Sequence, residues 1–111
     1  MEIGFSRQSD AALFSDSSRL RRKYGTSCTD KIERRFAQIA AAATLEVLCA
    51  LPQARCHQLV ANHSEHFSLD LDHPLRMIVG IAHDPVPRLR DGGIDRAKVT
   101  RLRFVEIGDT H

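Results

Sequence analysis

The chain has 111 residues, 42% of them hydrophobic and 27% charged, which suits one globular domain around one core and leaves no room for a second. Its longest apolar run, 36–43, is far too short for a bilayer-spanning helix, and the opening MEIGFSRQSD lacks the basic start and apolar stretch of a signal peptide, so a cytoplasmic, non-membrane protein is expected. A net charge of +2 argues against nucleic-acid binding by bulk charge and leaves clustering of the basic residues as the route to such a role.

In MEIGFS, Ile3 and Phe5 alternate at strand spacing, and the period changes at Asp10, a helix cap. Leu13, Phe14, Ser17, Leu20 and Tyr24 then recur at helical intervals. Arg19, Arg21, Arg22 and Lys23 gather toward the C-terminal end, where cations complement the helix dipole, and Gly25 ends the helix. TSCTD supplies the next caps. Ile32, Phe36, Ile39, Ala40, Ala43 and Val47 trace an apolar stripe with Lys31, Arg34, Arg35 and Gln38 on the other faces, so a second helix is expected as far as Leu51, stopped by Pro52. The short connection at 25–27 makes the pair a helical hairpin.

From Arg55 the pattern turns strand-like: RCHQLV; HFSLDLD, where Phe67, Leu69 and Leu71 alternate against Ser68, Asp70 and Asp72; RMIVGIA; and VTRLRFVEI. Asp72, His73 and Pro74 form a turn, and HDPVPRLRDGGID a longer loop. The order predicts an α+β fold over 1–111: an N-terminal strand and a two-helix hairpin packed on an antiparallel sheet of four to five strands. Cys28, Cys49 and Cys56 are odd in number and lack C-x-x-C spacing, which suits neither a disulfide framework nor a zinc ribbon, and buried reduced thiols are expected.

Three patterns carry candidate chemistry. His63 and His66 are spaced H-x-x-H near Cys56 and His57, but that spacing enforces no geometry on a strand or loop and no fourth ligand is evident, so no metal is expected. His57 and His111 suit general acid–base work near neutral pH if their strands lie close together; a lone strand histidine is more often a surface residue. Arg88, Arg90, Arg96, Lys98, Arg101 and Arg103 crowd into sixteen positions. With Arg55 and Arg76 they form either a phosphate-binding surface or a solvated charged face. One Tyr and no Trp argue against a base-stacking platform.

The segments MEIGFS, LRRKYG, LPQARCHQL, FSLDLDHPLRMIV, HDPVP, DGGID, KVTRLRF and the closing DTH occur in this order along nearly the whole chain. In this the sequence resembles the HigB-like (plasmid maintenance killer) toxins of the RelE/ParE superfamily. The resemblance implies a RelE-like fold and a ribosome-dependent mRNA endoribonuclease without cofactor or metal, in which the 2′-hydroxyl attacks the adjacent phosphate to leave a 2′,3′-cyclic phosphate. It implies His57, Arg76, Asp109 and His111 as catalytic residues. His57 and His111 would be the proton-transfer pair, Arg76 the phosphate stabiliser, and Asp109 the group that orients or charges an imidazole. Which histidine is the base stays open; the terminal carboxylate beside His111 would favour its protonated form. Arg55, His63, Arg101, Arg103 and Thr110 would bind substrate, and a helix-turn-helix, HigA-like antitoxin would be the partner. Two positions depart from the pattern: Thr110 stands where many relatives have Tyr, and 59–63 replaces a Leu-Lys-Gly that carries a phosphate-binding lysine. The alternative is a non-enzymatic or weakened binding module, either a ParE-like gyrase poison or an inactive relative acting through its antitoxin.

Overall fold

A computed structural model describes residues 1–60 and 65–109; the candidate site residues His63, Thr110 and His111 lie outside the described residues. The elements run β1 (Glu2–Phe5), α1 (Gln8–Phe14), α2 (Ser17–Ala41), α3 (Leu45–Cys49), β2 (His57–Gln58), β3 (His66–Asp70), β4 (Leu75–Ile81), a 3₁₀ turn (Arg96–Lys98) and β5 (Arg101–Asp109). The strands form one sheet in the order β1-β5-β4-β3-β2. It is mixed rather than antiparallel throughout, because β1 runs parallel to β5 while the meander β2 to β5 is antiparallel. A parallel pair needs a long crossover, and the helices and meander between these strands supply it.

The helical hairpin forms within α2. Gly25, at φ 82° and ψ 166°, interrupts its helical dihedrals, a conformation open to glycine and strained for other residues. Eight residues to either side, the Ser17 hydroxyl donates to the Glu33 carboxylate. An unbroken helix would hold these two more than 20 Å apart, at about 1.5 Å per residue, so the chain doubles back at Gly25.

Both predicted helices are more broken than their periodicity suggested. Asp16 ends the first run early by accepting a hydrogen bond from the Arg19 amide at 3.2 Å, which starts α2. The second run stops at Ala41, and Thr44 caps the separate α3 through the Val47 amide at 3.4 Å. That break resets the helical phase. Ala42, Leu45 and Leu48 are buried beyond it, and Val47, expected on the stripe, is 48% exposed.

Leu20, Cys28, Ile32 and Ile39 from α2 meet Phe67, Leu69, Met77, Val79, Leu102 and Phe104 from the sheet in the core. Phe5, Phe14, Phe36 and Phe104 bring β1, α1, α2 and β5 together, with every pair of rings at centroid distances between 4.7 and 6.4 Å. Among the described residues no helix is long and apolar enough to cross a membrane.

Candidate functional site

Strand alternation gives the sheet two faces. One carries Phe67, Leu69, Met77 and Val79 into the core. On the other, the register aligns His57 with Ser68, Ser68 with Ile78, and Asp70 with Arg76. Ser68 and Ile78 are fully buried there, and the Arg76 guanidinium reaches Ser68.

His57 begins β2, much shorter than the strand predicted from RCHQLV. Arg55 falls in the preceding turn with φ 46°, in the left-handed region, rather than in a strand. Its carbonyl lies 3.0 Å from His57 Nδ1. A carbonyl only accepts, so the neutral ring carries its proton on Nδ1 and its lone pair on Nε2. Nε2 lies 3.3 Å from the Arg76 guanidinium and 3.4 Å from the Ser68 hydroxyl. Arg76 also donates to Ser68 at 3.3 Å and approaches Asp70 at 3.5 Å. Ser68 beside His57 has the composition of a nucleophile and its base, but a hydroxyl with no exposure beneath an arginine is closed to substrate. Its place is structural, holding the guanidinium against the imidazole.

Asp70 collects arginines. Its carboxylate meets Arg55 Nε at 3.2 Å as well as Arg76, and its carbonyl accepts from Arg35 Nε at 2.7 Å. Arg35, placed by periodicity among the outward residues, is 4% exposed and also donates to Gln38 at 3.1 Å. Burial, then the charge of Arg34, pulls its pKa below the ordinary guanidinium value, and Asp70 opposes that shift.

No known family model matches the chain, and no curated protein matches it. The chemistry of this face therefore rests on its own geometry.

Arg101 and Arg103 reach the same face through an irregularity. Ile78 pairs with Glu106 but Val79 pairs with Phe104, so Val105 is an extra residue in β5. In unbroken register Arg103 would align with Ile81 on the core side; the bulge aligns it with Gly80, in phase with Arg76. A Cβ on Gly80 would come within 2.7 Å of the Arg103 guanidinium carbon, and the guanidinium donates to the Ile81 carbonyl at 2.8 Å. Arg101 pairs with Glu2 at 3.4 Å.

Arg88 and Arg96 of the basic cluster are engaged elsewhere. Arg88 forms a two-pronged pair with Glu65 at 2.6 and 3.1 Å, and Arg96 lies 5.0 Å over the Phe67 ring. Asp109 aligns with Leu75 while Gly108 aligns with Arg76, so alternation turns Asp109 to the face opposite Arg76. The fold thus brings together His57, Arg76 and Arg55, with Arg103 farther along the face. Ser68 and Asp70 complete the cluster; sequence reasoning missed their part, although their alternation with Phe67 and Leu69 had placed them on this face. Among the described residues no three His, Cys, Asp or Glu side chains are grouped so as to hold a metal ion.

Proposed function

We propose that the chain is a HigB-like toxin with a RelE-like fold that cuts mRNA on the ribosome in the cytoplasm and is held in check by a helix-turn-helix antitoxin. The observation that carries this reading is the exposed His57 ring, whose Nε2 lone pair lies 3.3 Å from the Arg76 guanidinium. In this reading His57 Nε2 takes the proton from the RNA 2′-hydroxyl as its oxygen attacks phosphorus. Arg76 stabilises the charge that builds on the phosphoryl oxygens. Its contacts to His57 and Ser68 are long for hydrogen bonds, and exchanging them for shorter, charge-assisted bonds to phosphate is favourable. The leaving 5′-oxygen takes its proton from the acid, assigned by resemblance to His111, and the products are a 2′,3′-cyclic phosphate and a 5′-hydroxyl. Arg55, Arg101 and Arg103 hold neighbouring phosphates, with His63 and Thr110 assigned beside them by the same resemblance.

Expression without antitoxin is expected to arrest growth and create new mRNA 5′ ends detectable by primer extension. His57→Ala and Arg76→Ala should each restore growth in protein that still melts cooperatively, since removing a proton-transfer group costs on the order of 10²–10⁴ in rate and removing a group that stabilises developing charge on the order of 10²–10³. Arrest that survives both changes rejects this site.

One observation favours the non-enzymatic alternative: Asp109, assigned by resemblance to orient or charge an imidazole, stands out of phase with Arg76 in the register of β4 and β5. Arrest with intact mRNA and damaged DNA identifies a gyrase poison. Antitoxin binding without arrest identifies an inactive relative.

A further inference from the structure

Cys49 closes α3, Cys56 immediately precedes His57, and their sulfurs lie 3.6 Å apart. The two thiols differ in surroundings. Cys56 is 7% exposed, whereas Cys49 is half-buried and lines a cavity of about 500 Å³ together with Glu46, Leu89, Ile94 and Arg96. Arg96 is fixed there by its stacking on Phe67 and by donation to Gln58 at 3.3 Å. We infer that Cys49 and Cys56 form a peroxide-reactive dithiol, with Cys49 the attacking thiolate and Cys56 the resolving thiol, that closes to a disulfide tying α3 to the residue before His57.

Several forces separate the roles. The hydrogen bond between the sulfurs and the nearby Arg96 charge lower the Cys49 pKa to about 7, against the opposing effect of its burial. The same hydrogen bond, followed by burial, raises that of Cys56. A thiolate is the nucleophile, and it is most effective when its pKa is close to the ambient pH. Cys28 supplies an internal contrast: it is 3% exposed, and burial raises its pKa first of all.

The oxidant is a hydroperoxide, here hydrogen peroxide. The Cys49 sulfur attacks one peroxide oxygen; an S–O bond forms, the O–O bond breaks, and the departing hydroxide takes a proton to become water. Cys56 then attacks the Cys49 sulfur. The S–S bond forms, the S–O bond breaks, and the second hydroxide leaves as water with the Cys56 proton. Two thiols lose two electrons, and one peroxide becomes two waters. Closure from 3.6 Å to about 2.05 Å requires a modest approach of the segment 50–56, which carries no regular helix or strand.

The full chain, reduced and then given one equivalent of hydrogen peroxide, should lose two hydrogens by intact mass. Peptide mapping should show a Cys49–Cys56 crosslink with Cys28 still open to alkylation. Cys56→Ser should stop at a Cys49 sulfenic acid trapped by dimedone, and Cys49→Ser should abolish the fast reaction. Arg96→Gln should slow it by roughly two- to fivefold at pH 7, the effect expected when part of the thiolate is lost to a higher pKa. Cys49 and Cys56 both remaining alkylatable after peroxide, or Cys28 oxidising first, overturns the inference; so does a Cys49→Ser protein that reacts as fast as the parent.

Discussion

At the scale of single residues, the polar face of the sheet is organised by which atoms can only donate and which can only accept. The Arg55 carbonyl sets the tautomer of His57, and Arg76 answers the lone pair left on the other nitrogen. Gly80 is the counterpart on the next stretch of the face, because the absence of its side chain is what admits the Arg103 guanidinium. Gly80→Ala is expected to displace that guanidinium. The stability cost should be small, about 1 kcal/mol or less, because the far end of a flexible side chain can move aside. In the proposed toxin the same change should weaken growth arrest as Arg103→Ala does, which thermal melting and an induction assay would separate. A Gly80→Ala protein with full toxicity would show that Arg103 is bystander charge.

At the scale of elements, one residue makes α2 into a hairpin and one ion pair ties it to the sheet. Replacing Gly25 by Ala forces a Cβ into a backbone conformation that L-residues avoid, and about 1–3 kcal/mol of stability should be lost. A denaturant midpoint equal to that of the parent would contradict this. The Lys31 ammonium lies 2.8 Å from the Asp72 carboxylate at the β3–β4 turn. Hydrogen bonds from Lys31 and then Ser27 hold the Asp72 pKa below its ordinary value. The folded state therefore binds fewer protons at this site than the unfolded chain. The stabilisation is fully present above the ordinary carboxylate pKa and is lost as pH falls through the folded one. Asp72→Asn should accordingly melt lower than the parent at neutral pH, with the two melting temperatures converging on acidification.

At the scale of the whole molecule, four phenylalanines join the first strand, the first two helices and the last strand, so elements far apart in the chain share one packed centre. Phe104 is 5% exposed within it. Phe104→Ala should cost about 3–5 kcal/mol, measurable by urea unfolding. The same strand carries Arg101 and Arg103 on its other side, so the loss of packing should also loosen the cationic face. A mutant that keeps full stability would mean that the cluster collapses around the missing ring.

The sequence by itself determined the α+β class, the doubling back at Gly25, the meander and the pairing of Arg101 with Arg103 on one side of their strand. These follow from period and from backbone preferences, which act over a few residues. Only the tertiary structure decided that β1 runs parallel to β5, that Arg35 is buried beneath Asp70, and that a bulge at Val105 turns Arg103 toward the face of Arg76 while leaving Phe104 and Ile107 packed against the core. It also decided that Asp109 falls opposite Leu75. Periodicity shows that side chains alternate; which face each one joins depends on register, and register is set by a partner strand distant in the chain.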